Sequence, residues 1–126
     1  MNQSMKTRLF PKVILILMIP ALLMATGIRI APNVLNLGSK GTVVTVHTTL
    51  PYSSVMASTV SLNGIEIQSW KADARGNFVA KFSMAAVKSL VSSGALPLGE
   101  VTLTLTGFTT DGSDFSGSSM ITIIDR

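Results

Sequence analysis

The residues at positions 101–108, VTLTLTGF, alternate between apolar and hydroxyl-bearing side chains until Gly107. A β-strand points successive side chains to opposite faces, so the alternation predicts a strand with one buried face and one solvated face. A second run, MITII at 120–124, ends the apolar part of the sequence. The two runs predict neighbouring strands of a sheet, and the segment between them decides their register.

That segment is TTDGSDFSG, residues 109–117. A two-residue turn at Asp111 and Gly112 would set the apolar face of one strand against the polar face of the other. A three-residue loop with Gly112 at positive φ removes the conflict. The predicted opposite pairs are Val101 with Ile121, Leu105 with Gly117, and Gly107 with Phe115. The polar outer face then consists of Thr102, Thr104, Thr106, Ser116 and Ser118.

Asp111 and Asp114 are the calcium candidates of the sequence. Calcium takes six to eight oxygen ligands, whereas this segment supplies two carboxylates. Asp111 suits a turn, and Asp114 falls on the outer face beside Phe108. The sequence therefore predicts a structural corner here, without a metal or another cofactor.

Short strands and one helix are predicted for the rest of residues 28–126. Asn63 and Gly64 form a strong hairpin signal, which would set Leu62 against Ile65 and Val60 against Ile67. Residues 84–93 have apolar side chains at helical spacing, between a capping serine and a terminating glycine. The predicted strands are 28–37, 42–50, 59–62, 65–71, 77–82 and the final pair. About seven strands and one short helix predict an all-β, immunoglobulin-like antiparallel β-sandwich.

Residues 1–27 have the layout of a secretory signal peptide. Three basic residues precede an apolar run at 13–25, and small residues follow it. The run has 13 residues, whereas a membrane-spanning helix needs roughly 20. Cleavage is expected after Gly27 or after Ala25, and an uncleaved N-terminal anchor is the alternative, the only expected contact with a membrane. The predicted location is therefore exported: periplasmic, at the cell surface or extracellular.

The positive charge of the chain belongs largely to this N-terminal segment. Of ten basic residues three precede position 28, which leaves seven against six acidic residues. Lys71, Arg75, Lys81 and Lys88 are spread along the sequence and are interpreted as solvated surface charges. Without a basic cluster interleaved with aromatic residues, nucleic acid is not an expected partner.

The sequence offers little for catalysis. His47 is the only histidine, and its strand pattern places it on a polar face among threonines. Cysteine is missing from all 126 residues, so neither a thiol nucleophile nor a disulfide can form. Glu66 and Glu100 have no nearby acidic partner in the sequence. These observations favour a protein that is not an enzyme.

Tyr52, Met56 and Trp70 are the candidate binding residues. Tyr52 and Met56 fall in a predicted loop at 51–57, where they would contact a partner or close one end of the core. Trp70 points outward if its strand is regular, which would suit a binding surface. A bulge or a change of sheet near Ser69 would instead turn it into the core, and burial is favoured because large aromatic residues dominate small cores.

The segments STVSLNG, NFVAKFSMAAVKSLV and GEVTLTLTGFTTDGSDFSGSSMITII resemble an immunoglobulin-like module of exported bacterial and archaeal proteins. The resemblance covers most of residues 28–124 and implies a sandwich fold and export, without a general activity. Ser83 stands where such modules usually have an acidic residue, so no calcium site is carried over. The expected function is a non-catalytic binding or structural module of the cell envelope. The expected partner is an envelope protein or a polysaccharide. The alternatives are a carbohydrate-contacting accessory domain of a secreted hydrolase system and a subunit that assembles by edge-strand addition.

The N-terminal pattern predicts that the mature protein begins near Ile28. N-terminal sequencing and intact-mass measurement of natively expressed protein test the position of cleavage. Recovery of the full chain in a membrane fraction would show an uncleaved anchor instead.

Overall fold

The computed structural model describes residues 24–126. Positions 1–23, which hold most of the predicted signal peptide, lie outside the described residues. The strands before the Asn63–Gly64 turn are β1 (Met24–Ala25), β2 (Ile28–Ala31), β3 (Val34–Asn36), β4 (Val43–Pro51) and β5 (Val55–Leu62). The elements after it are β6 (Ile65–Glu66), β7 (Ser69–Ala72), β8 (Asn77–Ser83), helix α1 (Met84–Ser92), β9 (Gly99–Thr109) and β10 (Asp114–Ile124). A short 3-10 helix, Tyr52–Ser54, joins β4 to β5.

The strands form two sheets. The first sheet has the order β1-β10-β9-β5-β6, and β3 also pairs with β10. The second sheet has the order β2-β4-β8-β7. Pairing is antiparallel except that β1 and β3 run parallel to β10. Within residues 24–126, the prediction of a β-rich, sandwich-like fold with one α-helix is confirmed.

Both sheets and the helix contribute to a single hydrophobic cluster. Alternate residues of β4 and β8 enter it from the second sheet, and alternate residues of β9 and β10 enter it from the first. Met84 and Val87 of α1 complete the cluster. The largest fully buried side chains are Phe78, Phe82, Phe115, Leu35, Leu62, Leu103, Leu105, Ile121 and Ile123. Burial of this apolar surface is the main favourable contribution to folding.

The hairpin of β9 and β10 has the predicted register. Val101 lies opposite Ile121, Leu105 opposite Gly117, and Gly107 opposite Phe115. The loop begins after Thr109, whose backbone N–H donates to the Ser113 carbonyl at 2.9 Å. Gly112 has a φ of +87°, as the bulge position requires. The three-residue corner is confirmed.

The hairpin at Asn63 and Gly64 and the helix boundaries agree with the sequence analysis. Both turn residues have positive φ, and Leu62 lies opposite Ile65. The Ser83 hydroxyl accepts the backbone N–H of Ala86 at 3.2 Å, so it caps α1. Positive φ at Gly94, just beyond the helix, is the usual backbone geometry of a helix end.

Three predicted segments are divided in the structure. Residues 28–37 form β2 in the second sheet and β3 in the first, and the chain changes sheet at Pro32, which has no backbone N–H to donate to a ladder. Residues 65–71 likewise form β6 in the first sheet and β7 in the second. The predicted loop at 51–57 is wrong in its second half, since Val55–Leu62 is strand β5. Alternation identified these strands but carried no information on which sheet each one joins.

Residues 24–27 form part of the first sheet and the crossing to the second. Met24 and Ala25 pair with Phe115 and Ser116, and Thr26 donates its N–H to the Ser116 carbonyl at 2.9 Å. The chain then crosses directly over Gly117, where a Cβ atom would lie 2.6 Å from the Thr26 carbonyl oxygen. Cleavage at either predicted position, after Gly27 or after Ala25, would leave a mature domain without β1.

In the part of the chain that the structure describes, no helix is both long enough and apolar enough to span a bilayer.

We expect Gly112→Val to lower the free energy of unfolding by about 1 kcal/mol or more, because a β-branched residue resists positive φ. Thr102→Val is the matched control, since it places valine at an exposed, extended position of the same hairpin. Urea or thermal unfolding of both variants measures the difference. Equal stability of the two variants would contradict the assigned corner geometry.

Candidate functional site

Met56 and Phe108 form an exposed apolar pair on the outer face of the first sheet. They lie directly opposite each other in the pairing of β5 with β9. Their side chains are 44% and 45% exposed. On β9 the pair interrupts a polar face, because Thr102, Thr104 and Thr106 occupy the preceding outward positions. A large apolar pair on such a face contributes nothing to the core.

A bulge in β5 shapes the surface beside this pair. Between Met56 and Ser61 the pairing with β9 shifts register, so several residues of β5 face only Gly107. At the bulge, the Thr59 hydroxyl replaces a backbone group in the hydrogen bonding between β5 and β9. It donates to the Met56 carbonyl at 2.6 Å and accepts the Phe108 N–H at 2.9 Å. Bulges are frequent at recognition and active sites because they redirect side chains.

The bulge borders a depression of about 360 Å³ in which Phe108 provides the aromatic wall. Its polar rim contains the side chains of Thr59, Thr106, Asp114 and Ser116. Gly107 forms part of the depression, and a Cβ atom there would lie 2.8 Å from the ring of Phe115. Glycine at position 107 therefore allows the buried ring of Phe115 to pack beneath the surface.

Hydroxyl groups cover the outer face of the hairpin beyond the depression. Thr104 and Ser118 form a hydrogen bond of 2.9 Å across β9 and β10, and Ser61 and Thr106 form one of 3.2 Å across β5 and β9. The predicted polar outer face is confirmed. Two hydroxyl–hydroxyl bonds cross the strands of this face, whereas Met56 and Phe108 form its one directly opposed apolar pair, and Met120 is exposed by itself near the other end of β10.

Tyr52 lies at the same end of the molecule, in the 3-10 helix before β5. Its ring is tilted by 31° against the buried ring of Phe78, with 6.3 Å between the ring centroids. The side chain is nevertheless 40% exposed. Tyr52 therefore closes one end of the core and also offers a surface to solvent, which combines the two roles considered from the sequence.

Trp70 lies in β7, away from the Met56–Phe108 pair. The predicted change of sheet takes place, and Trp70 pairs with Ala80, whose side chain faces the core. The prediction that Trp70 is buried is wrong, since it is 43% exposed. The physical reason is that β7 is the last strand of its sheet and all four of its residues are exposed.

Asp111 acts within the corner. Its carboxylate accepts hydrogen bonds from the Thr109 hydroxyl and from the Ser113 N–H. These bonds, led by that of Thr109, hold the pKa of Asp111 below its usual value. Asp114 is exposed and lies opposite Phe108. Within residues 24–126 there is no group of three or more His, Asp or Glu residues placed to hold a metal ion.

A second concave site lies on the other sheet, and the sequence analysis did not foresee it. A cavity of about 540 Å³ is lined by Arg29, His47, Thr49, Asp73, Arg75 and Asn77, together with the backbone around Gly27. His47 lies on the polar face of β4, as predicted, and its direct neighbour there is Arg29 of the adjacent strand β2. The cation-bearing residues come from three separate parts of the sequence, so no local motif marks the site.

Asp73 organises one wall of this cavity. Its Oδ1 atom accepts the N–H of Arg75 at 2.8 Å and the N–H of Asn77 at 2.9 Å. The Asn77 bond contributes most to a lowered pKa of Asp73, and the positive charges of Arg75 and His47 lower that pKa further. The carboxylate is thus ionised and engaged with the backbone of the β7–β8 turn.

Comparisons with protein-family models, with curated proteins and with solved structures gave no match.

The lowered pKa of Asp111 predicts a stability contribution that depends on pH. A carboxylate with a lower pKa in the folded state stabilises the fold above its unfolded-state pKa, and the contribution is lost as the pH falls through the folded-state pKa. We expect Asp111→Asn to lower the melting temperature modestly at neutral pH and to differ less from the wild type below about pH 4. Asp114→Asn is the control. Melting curves between pH 2 and 7 test this, and a difference that grows in acid would contradict it.

Proposed function

We propose that this protein is an exported, non-catalytic binding module of the cell envelope with an immunoglobulin-like sandwich fold. Its recognition surface is the Met56–Phe108 pair with the neighbouring depression, and its partner is an envelope protein. The observation that carries the proposal is the exposure of two large apolar side chains that lie directly opposite each other, beside a bulge, on a face rich in hydroxyl groups.

The order of the strands supports the immunoglobulin-like assignment. The order β2-β4-β8-β7 corresponds to strands A, B, E and D of that fold, and β5-β9-β10 corresponds to C, F and G. The division of the first strand into β2 and β3, one in each sheet, agrees with the same topology. The resemblance of residues 28–124 to modules of exported proteins points in the same direction, as does the signal-like layout of residues 1–27.

Protein recognition is favoured by the chemistry of the surface. Aromatic residues and methionine are enriched in the cores of protein interfaces, and a ring of polar groups around them excludes water. Phe108 and Met56 provide such a centre, and Thr59, Thr106 and Ser116 provide the polar surroundings. Binding of a polysaccharide is less well supported, because the exposed rings of Tyr52, Trp70 and Phe108 belong to different elements instead of forming one row.

Assembly by edge-strand addition is a second candidate, favoured by one observation. Strand β7 forms an edge of the second sheet, and its four residues SWKA are all exposed. An exposed edge presents unpaired backbone groups to which an extended segment of another chain can add. In this alternative Trp70, and not Phe108, would carry the contact.

The two candidates predict different positions of contact. A photoreactive phenylalanine analogue is placed at position 108, 120 or 70 of the full-length chain in its native strain. Met120 is the matched control, because it is an exposed apolar residue on the same sheet face as Phe108 but near the other end of β10. We expect one discrete cross-linked protein from position 108 and none from position 120. A product from position 70 alone would support edge addition and contradict our first proposal.

Substitutions measure the energetic part of the proposal. Phe108→Thr continues the threonine pattern of β9, so the fold should be preserved while the apolar centre is lost. We expect this change and Met56→Thr each to weaken binding of the captured partner about tenfold or more, which corresponds to about 1.4 kcal/mol. Met120→Thr should leave the affinity within about twofold. Equal effects of all three changes, with unaltered melting curves, would show that the apolar pair has no special role.

A further inference from the structure

The strands of the two described sheets carry charges of opposite sign. The strands of the first sheet contain Glu66, Glu100 and Asp114 but no lysine or arginine. The strands of the second sheet contain Arg29, Lys71 and Lys81 but no aspartate or glutamate. Residues 28–126 contain seven basic and six acidic residues, so their net charge is close to zero. The second sheet is nevertheless cationic, because the basic residues of the strands all lie in it.

The cationic residues lie together on the outer face of the second sheet. Directly opposed residues of an antiparallel pair share a face, so Arg29, His47, Val79 and Lys71 form one row across β2, β4, β8 and β7. Lys81 belongs to the adjacent row. Val79 is fully buried although it lies outside the core cluster, so side chains of this outer face cover it. Lysine stems commonly cover apolar surface in this way.

One end of this face deepens into the cavity of about 540 Å³ described above. Arg29 and His47 line it from β2 and β4, Arg75 from the β7–β8 turn, and Asn77 from the first position of β8. The acidic residue of the cavity, Asp73, already accepts two backbone N–H groups at 2.8 and 2.9 Å. Its single charge is outnumbered by the two guanidinium groups, so the cavity carries a net positive charge.

We propose that this cavity binds a phosphate group, carried by a phosphate ester or a phosphodiester. Arginine forks match the geometry of phosphate oxygens and hydrogen-bond them in pairs. Arg29 and Arg75 provide the forks, and His47 and Asn77 add further donors. A volume of about 540 Å³ exceeds a single inorganic ion and admits the group to which the phosphate is attached.

Single-stranded nucleic acid is a poor match for this site. Proteins that bind it combine a basic groove with aromatic side chains on which the bases stack. The outward positions of the described strands β2, β4, β7 and β8 carry no Phe, Tyr or Trp. The site therefore offers donors to a phosphate group but no aromatic ring on which a nucleic-acid base could stack.

The position of the cavity allows two sources of the phosphate. Gly27 and Ile28 line it, so it lies where the chain crosses from β1 of the first sheet to β2, at the end of the predicted signal or anchor segment. If that segment remains in a membrane, lipid headgroups are within reach. If it is cleaved, the ligand is a phosphate ester in solution or on a polymer. The chemistry of recognition is the same in both cases.

The test uses the full-length chain and two kinds of probe. Glycerol phosphate is titrated calorimetrically, and vesicles of phosphatidylglycerol are compared with vesicles of phosphatidylcholine by co-sedimentation. We expect binding of glycerol phosphate, selective retention on phosphatidylglycerol, or both. Binding of the soluble probe alone would assign a soluble ester, and selective retention alone would assign a lipid headgroup.

Two double variants distinguish binding at this cavity from a general effect of the positive charge of the protein. Arg29→Gln/Arg75→Gln removes both forks, and we expect it to weaken the observed binding about tenfold or more. Lys40→Gln/Lys88→Gln removes the same charge near α1, where Lys88 donates to the Ser39 carbonyl, and should change binding less than about twofold. The melting curve of each variant verifies the fold. Absence of binding to either probe, or equal weakening by the two double variants, would overturn the proposal.

Discussion

The hairpin of β9 and β10 is the constraint on which the rest of the structure depends. Its two strands have eleven residues each and contribute Val101, Leu103, Leu105, Phe115, Ile121 and Ile123 to the core cluster. Because side chains alternate with a period of two, a slip of one residue would turn to solvent either Leu103 and Leu105 of β9 or Ile121 of β10. The corner at Gly112 prevents that slip. Strands β1, β3 and β5 all pair directly with this hairpin, so its register determines theirs.

Two glycines of the hairpin leave space that other parts of the structure occupy. Gly107 leaves room for the ring of Phe115, and Gly117 leaves room for the chain crossing at Thr26. The first allows a filled core beneath the depression beside Phe108. The second allows the N-terminal segment to reach the second sheet, where Arg29 joins His47. Both candidate sites therefore depend on positions of the hairpin that lack a side chain.

The two sites have opposite character, and they lie on opposite faces of the sandwich. The Met56–Phe108 surface is apolar with a hydroxyl rim, on the sheet that carries only acidic charges. The Arg29–His47–Arg75 cavity is cationic, on the sheet that carries only basic charges. A protein partner on the first face and a phosphate-bearing ligand on the second would not compete for the same surface. In our proposals the fold thus holds two kinds of ligand apart.

The sequence by itself determined the local structure of this protein. The alternation at 101–108, the Asn63–Gly64 turn, the Ser83 cap and the Gly112 corner each depend on interactions between residues close in sequence, so they were predictable. Only the tertiary structure decided that residues 28–37 and 65–71 divide between the sheets and that Trp70 stays exposed at an edge. It also decided that Met56 meets Phe108 and that Arg29, His47 and Arg75 line one cavity. These outcomes depend on which distant strands become neighbours, and strand pairing is set by the packing of the whole core, on which a local pattern carries no information.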